Sequence, residues 1–316
     1  DYVTLVDAGD AIQGDVIGAL SKGDYIIDIM NAAGYDIAIP GNHEFDFGMD
    51  TFLTLVSKAN ATYISANFLG SDGKSVFKPY EMKTYGDKKV AFVGISTPES
   101  ITKSPPVFFQ DENGNYIYSF CDGNNGKDLY DAVQNAVDDA KAAGADYVIA
   151  VAHLGIGESE NPWTSENVIA NTSGIDVMID GHSHSVIQDT KVKAKDGKEV
   201  ILTQTGTGIS YIGEVIIKAD GQISASLVSG YTKKDSAVAA VISGINANLK
   251  AVTEKVIGTC EVDVDDYDAD GNRMVRNQEA PAGNFCADAY RAVTGADIGL
   301  GQGGGVRAAI KKGEVT

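Results

Sequence analysis

The chain has 316 residues, of which 43% are hydrophobic, and a formal net charge of −19. This length predicts one large domain and at least part of a second. The acidic balance argues against a nucleic-acid polymer as partner, because phosphate backbones are bound by basic surfaces, and no apolar stretch of about 18 residues is present that could span a membrane.

Short apolar runs alternate with helical patterns up to about Gly230, which predicts an α/β domain. The runs predicted as buried strands are Val3–Val6, Asp36–Ile39, Val90–Ile95, Tyr147–Val151, Asp176–Ile179 and Val200–Leu202. The predicted helices between them are Asp24–Ala33, Met49–Ala59 and Lys127–Ala143. The segment Glu99–Gly126 is rich in Pro, Gly, Asn and aromatic residues, and it is predicted to be an excursion loop.

The last third of the chain changes in character. Val215–Leu227 predicts two strands around the Asp220-Gly221 turn, and Ser236–Val256 predicts a long helix. We therefore divide the chain into a first domain over residues 1–232, a linker helix over 233–257 and a second region over 258–316. All four arginines of the chain fall in this second region, and they are Arg273, Arg276, Arg291 and Arg307.

Polar side chains follow four of the predicted strands at the point where each strand ends. These side chains are Asp10, Asn42, His43, His153, His182 and His184. In α/β sheets such strand ends share one edge, where ligands bind. Carboxylate, amide and imidazole groups suit a divalent metal, and a carboxylate such as that of Asp10 can bridge two of them. Two metals about 3.5–4 Å apart can activate water and clamp a phosphoryl group.

Asp46 lies three residues after His43, where its carboxylate can orient the imidazole and favour its charged form. His43 then has a role without binding metal, since it can donate to a phosphate or assist a leaving alkoxide. A single histidine is usually structural. Here, however, all four histidines of the chain follow strand ends, and this coincidence favours a common site.

Four motifs, taken together, resemble the calcineurin-like metallophosphoesterases and, within them, the 5'-nucleotidase family. They are Asp7-Ala8-Gly9-Asp10, Gly41-Asn42-His43-Glu44-Phe45-Asp46-Phe47-Gly48, Ala152-His153-Leu154-Gly155 and Asp180-Gly181-His182-Ser183-His184. The resemblance implies a β-sandwich flanked by helices as the catalytic domain, followed by part of a C-terminal α/β nucleotide-binding domain.

The resemblance also implies the role of each residue at a centre of two divalent metal ions, such as Zn or Mn. Asp10 would bridge the ions, and Asn42, His153 and His182 would complete one site. His184 would belong to the other site. His43 and Asp46 would form the catalytic pair that stabilises the transition state.

The family pattern opens with a strand and an Asp-x-His motif whose two residues bind the second metal. The first residues of this sequence are instead predicted as a core strand already under way, with no signal peptide. We therefore expect that the true N-terminus, the first strand and this motif lie upstream of Asp1.

The glycine-rich segment Gly301–Arg307 lets backbone approach a ligand closely, and arginine suits phosphate recognition through its planar fork. The resemblance implies that Arg276, Gly304 and Arg307 bind the substrate. Gln302 stands where the family usually has Asn, so its amide would bind from a longer side chain.

The expected function is metal-dependent hydrolysis of a nucleotide phosphoester, with a 5'-nucleotidase releasing nucleoside and phosphate as the first hypothesis. The alternatives are a 2',3'-cyclic nucleotide phosphodiesterase/3'-nucleotidase, a UDP-sugar hydrolase, or a non-enzymatic surface protein that keeps the fold. The resemblance places the protein outside the cytoplasm, as a secreted, periplasmic or cell-surface protein with a small nucleotide as its partner.

Overall fold

In the computed structural model, which describes residues 2–157 and 160–316, the chain divides into two units, Asp1–Ile242 and Ser243–Thr316. In the described part of the chain, we find no helix that combines the length and the apolar character needed to cross a membrane.

The first unit begins with a small parallel sheet. Its strands are β1 (Val6–Asp7), β2 (Ile37–Ala38) and β3 (Thr62–Tyr63), in that order. The connections contain helices α1 (Val16–Ser21), α2 (Asp24–Ala33) and α3 (Met49–Lys58). Helices α2 and α3 pack on this sheet because each has one apolar face, which includes Ile27 of α2 and Phe52 of α3.

A second, mixed sheet has six strands in the order β4-β5-β6-β7-β9-β8. They are β4 (Tyr80–Tyr85), β5 (Lys88–Ile95), β6 (Tyr147–Ala152), β7 (Val177–Asp180), β8 (Val186–Lys193) and β9 (Glu199–Thr205). The inner strands are parallel, and the edge strands β4 and β8 are antiparallel to their neighbours. Helices α4 (Ser100–Lys103), α5 (Lys127–Ala142) and α6 (Ser165–Asn171) lie in its connections. An antiparallel hairpin follows, with strands β10 (Ile212–Ile217) and β11 (Ile223–Val228).

The two sheets pack face to face. Their shared core contains Ile37, Ile39, Ile64, Val90, Phe92, Ile149, Val151, Val177 and Ile201. The other face of the large sheet is covered by α5 and α6, through residues such as Leu129 and Val168. The predicted β-sandwich flanked by helices is thus confirmed.

The segment predicted as an excursion loop is more ordered than expected. It contains α4 and short 3₁₀ turns at Pro106–Phe109 and Asn124–Gly126. Phe109 and Phe120 from this segment are fully buried, and both rings contact Phe45. The loop is therefore anchored through its aromatic side chains, and it packs against the turn that carries Asn42 and His43.

The second unit has fewer regular elements. Helix α7 (Ser236–Thr253) contains the boundary between the units, and strand β12 (Gly258–Cys260) pairs antiparallel with β13 (Gly313–Val315). Between these strands come α8 (Pro281–Thr294) and a 3₁₀ turn at Gly303–Gly305.

Candidate metal centre

Asp10 lies just after β1 in a left-handed backbone conformation, with φ of 65°. The buried carboxylate of Glu44 fixes this loop by accepting hydrogen bonds from the amides of Asp10 at 2.7 Å and Ala11 at 2.8 Å. It also accepts from the amide of Gly41 at 2.6 Å. Glu44 therefore joins the loop after β1 to the loop after β2.

Burial is the largest cause that raises the pKa of Glu44, and the nearby charges of Asp10 and Asp7 add to it. The resulting pKa is about 7, although the hydrogen bond from the Asp10 amide opposes the shift. Burial likewise raises the pKa of Asp7 to about 6. Several carboxyl groups are thus held together at this end of the sandwich.

His153 follows β6 and is buried. Its Nδ1 donates to the carbonyl oxygen of Ala8 at 2.6 Å, because a carbonyl can only accept. Its Nε2 lies 3.0 Å from Oδ2 of Asp10. Burial alone would lower the pKa of His153, but the charge of Asp10 raises it to about 9. Burial would raise the pKa of Asp10, but the charge of His153 holds it well below its usual value.

His182 follows β7, and its ring centroid is 5.0 Å from that of His153. Its Nε2 lies 2.6 Å from Oε2 of Glu99, and this hydrogen bond is the largest cause that lowers the pKa of Glu99. Donor atoms of Asp10, His153 and His182 all lie within 4.8 Å of one another. The structure thus brings together three of the predicted ligands from different strand ends.

The donor set fits a divalent cation. Asn42 Oδ1 is buried without a hydrogen-bond partner, and the buried His153 Nε2 faces Oδ2 of Asp10 at 3.0 Å. Burying a polar atom without a partner costs free energy unless something binds it. An amide oxygen and an imidazole nitrogen are both good metal ligands. Gly41 leaves room for this arrangement, because a Cβ there would lie 2.9 Å from Cε1 of the His153 ring.

His184 lies in a different setting from the clustered side chains of Asp10, His153 and His182. It is exposed, and its backbone is left-handed with φ of 56°. Its loop is tied to the sheet by Gln204, which accepts from the amide of Ser185 at 2.6 Å and donates to Asp180 at 3.0 Å. Among the described residues, His184 is not part of the carboxylate–histidine cluster.

His43 lies in the 3₁₀ turn after β2, and its Nδ1 is 2.6 Å from Oδ2 of Asp46. Its backbone amide donates to Oδ1 of Asp10 at 2.8 Å. The hydroxyl of Ser104 donates to the carbonyl of Asn42 and lies 3.5 Å from Oδ1 of Asp46. The predicted His43–Asp46 pair is thus present beside the ligand cluster, and the excursion segment supports it.

Both parts of the chain match known families. Residues 4–210 match the family model described as bacterial capsule synthesis protein PGA_cap, and residues 256–316 match the model described as 5'-nucleotidase, C-terminal domain. The chain is 26% identical to the snake venom 5'-nucleotidase of Gloydius brevicauda, over 98% of this chain and 55% of that protein. It is 27% identical to Endonuclease YhcR of Bacillus subtilis (strain 168), over 99% of this chain and 26% of that protein.

A solved structure agrees with these matches. The crystal structure of a 5'-nucleotidase precursor from Thermus thermophilus is similar with a TM-score of 0.78 and 26% identity, over 99% of this chain and 62% of that chain. Through residues 4–210 the chain belongs to the PGA_cap family, and along its length it is similar to 5'-nucleotidases. The chain spans about a quarter of the length of Endonuclease YhcR and about half of the length of the venom 5'-nucleotidase.

The second unit of the chain brings the predicted substrate-binding residues together. A Cβ at Gly304 would lie 3.6 Å from Nη2 of Arg276 and from Oε1 of Gln302. Arg307 donates from Nε to the carbonyl of Gly304 at 2.6 Å. Arg276, Gln302 and Arg307 are exposed. A cavity of about 240 Å³ adjoins this loop and is lined in part by Tyr290 and Gln302.

Arg273 is half-buried and makes structural contacts, whereas Arg276 and Arg307 are exposed. Its Nε lies 3.4 Å from Oδ2 of the buried Asp266, and its guanidinium donates to the carbonyl of Val306. Arg273 thus anchors the loop that carries Arg307. Arg291 is exposed on α8 and pairs with Asp288 at 2.9 Å.

The sequence did not reveal the residues that hold the ligands in place. Glu44, Glu99, Ser104 and Gln204 are polar residues in loops or at a strand end, and no periodic pattern marks them. Only Glu44 carried a signal, since it lies inside the Gly41–Gly48 motif.

Proposed function

We propose that this protein hydrolyses nucleotide phosphoesters, with a nucleoside 5'-monophosphate as the first candidate substrate. The convergence of Asp10, His153 and His182, next to the unpaired Oδ1 of Asn42, carries this proposal. The match of residues 256–316 to the 5'-nucleotidase C-terminal domain supports a nucleotide as the substrate.

Two divalent ions would share these ligands. Asp10, Asn42, His153 and His182 would hold one ion, and Asp10 and His184 would contribute to the other. Bound there, the ions would supply Lewis acidity for activating water and offsetting the charge of the phosphoryl group. In a chain of net charge −19, a phosphate needs such local compensation.

His43 acts on the substrate and does not bind metal. The carboxylate of Asp46 engages Nδ1 of His43 and orients its ring, and the His43 backbone amide donates to Oδ1 of Asp10. A protonated His43 donates a hydrogen bond to the phosphoryl group as charge develops, and it can pass a proton to the leaving 5'-oxygen.

In the second unit, Arg276 and Arg307 bind the anionic part of a substrate. Both guanidinium groups are exposed beside Gly304, whose lack of a side chain lets a ligand approach the backbone. The Gln302 amide lies beside the same glycine and offers both a donor and an acceptor to a substrate.

We place this activity outside the cytoplasm, in a secreted, periplasmic or cell-surface protein. A relative named as a venom 5'-nucleotidase supports this location. The capsule-synthesis description of the PGA_cap model applies to the first unit alone, and the C-terminal match favours nucleotides over that role.

The test is phosphate release from AMP, 2',3'-cyclic AMP, 3'-AMP and UDP-glucose, with Mn²⁺ or Zn²⁺ and with a chelator as control. We expect AMP to be the best substrate and the chelator to abolish turnover. Preference for a cyclic nucleotide, a 3'-nucleotide or UDP-glucose would select one of the alternative esterases. No turnover of any ester with either metal would leave only a non-enzymatic binding role.

A further inference from the structure

Glu99 makes a short contact with a predicted metal ligand that lies 83 residues away in the sequence. Its Oε2 is 2.6 Å from Nε2 of His182, and both side chains are largely shielded, with exposed fractions of 20% and 16%. A hydrogen bond of this kind, between a carboxylate and an imidazole, is among the stronger ones in proteins. The position of the His182 ring is therefore tied to Glu99.

The backbone around Glu99 gives this contact a rigid base. The amide of Glu99 donates to Oγ1 of the buried Thr97, just after β5, at 3.2 Å. The carbonyl of Glu99 accepts from the amide of Lys103 at 2.8 Å, at the end of α4. Glu99 is therefore fixed both to the end of the sheet and to the short helix that follows it.

The contact also determines which nitrogen of His182 is free. An ionised carboxylate can only accept, so Nε2 of His182 carries a hydrogen, and in the neutral ring Nδ1 keeps its lone pair. His153 shows the converse arrangement, because its Nδ1 donates to the Ala8 carbonyl and its Nε2 faces Oδ2 of Asp10 at 3.0 Å. In its neutral form, each of these two histidines thus has one nitrogen fixed by an acceptor and the other able to bind a cation.

We propose that Glu99 is a positioning residue of the metal centre, which holds His182 in the Nε2–H form and directs Nδ1 to the ion. A carboxylate behind a ligating imidazole fixes its orientation and raises its basicity. The proposal rests on the metal binding assumed under the proposed function, but it does not require that any particular ester be hydrolysed.

The test compares the affinity of the full chain for Mn²⁺ and Zn²⁺ in the wild type, Glu99→Gln and Glu112→Gln, by titration without substrate. Glu112 is an exposed glutamate of the same excursion segment, so its substitution makes the same chemical change away from His182. We expect Glu99→Gln to bind metal about 10–100-fold more weakly and Glu112→Gln to match the wild type. The visible absorption of bound Co²⁺ should change in Glu99→Gln alone, since it reports on ligand geometry.

An affinity of folded Glu99→Gln that equals or exceeds that of the wild type would overturn the proposal, because Glu99 would then not support the ligand. If Glu99→Gln does not fold, Glu99→Asp replaces it, since the shorter side chain cannot hold Nε2 at the same distance. Unchanged metal affinity and an unchanged Co²⁺ spectrum in Glu99→Asp would also overturn it. Failure to hydrolyse any ester would remove the proposed function while leaving the binding result intact.

Discussion

Replacing Glu44 by glutamine should destabilise the first unit by about 2–6 kcal/mol. Oε2 of Glu44 accepts from the amides of Asp10 and Gly41, and Oε1 accepts from those of Ala11 and Ile12. Glutamine keeps one oxygen and puts an NH₂ group in place of the other, and this group cannot accept. Two shielded amides then lose their acceptor, and each such loss costs about 1–3 kcal/mol.

The chain offers a direct probe of this effect. Trp163 is the only tryptophan, and it lies in the first unit, where it packs against the core beneath the large sheet. Its fluorescence during urea unfolding, with a chelator present, therefore reports on the unit that contains Glu44. Glu112→Gln serves as the matched control at an exposed site.

A Glu44→Gln unfolding free energy within about 0.5 kcal/mol of the control, the usual range for surface substitutions, would refute the reasoning. It would mean that the amides of the loops after β1 and β2 find other acceptors when the carboxylate is removed. A loss in the expected range, together with weaker metal binding, would show that Glu44 sets the geometry of Asp10.

Four further outcomes are expected. Phe45→Ala should cost about 3–5 kcal/mol by the same fluorescence measurement, because the fully buried ring contacts four other aromatic rings. His43→Asn should lower kcat about 10²–10⁴-fold and change metal affinity much less, because the backbone amide that donates to Asp10 is kept. Arg307→Ala should raise KM for AMP about tenfold or more, whereas Arg291→Ala, on the exposed face of α8, should not. Mn²⁺ at about 100 times its Kd should raise the unfolding free energy of the metal-free chain by about 2.7 kcal/mol. An unchanged unfolding free energy would argue against a metal centre.

The sequence predicted those elements whose burial follows a clear pattern. Strand β5 has six consecutive buried residues, and α2 has a single apolar face, so both could be recognised with nearly their observed bounds. Strand β8 was missed because it is mostly exposed and carries several charged residues. Its place in the sheet depends on pairing with β9, which is a tertiary contact.

The same distinction applies to the site. The approach of His153 to His182 could be predicted because each follows an apolar strand, and strand ends converge in this class of fold, whereas His184 lies outside their cluster. The contact of Glu44 with Asp10 joins residues 34 positions apart, and that of Glu99 with His182 joins residues 83 positions apart. Glu44 lies inside the Gly41–Gly48 motif and Glu99 has no local signal, but the supporting contacts of both required the structure.

The charge distribution at the site is itself an argument for a cation. Burial raises the pKa of Asp7 to about 6 and that of Glu44 to about 7, while Asp10 keeps its charge through His153. Near neutral pH, the fold thus holds several carboxylates out of water around one imidazole, an arrangement that costs free energy unless positive charge compensates it. A divalent ion between Asp10 and the two histidines would supply that charge and replace the proton that Asp10 otherwise stabilises on His153. The acidity of the chain is therefore compatible with phosphate chemistry, because the carboxylates of Asp7, Asp10 and Glu44 would help to retain a metal ion.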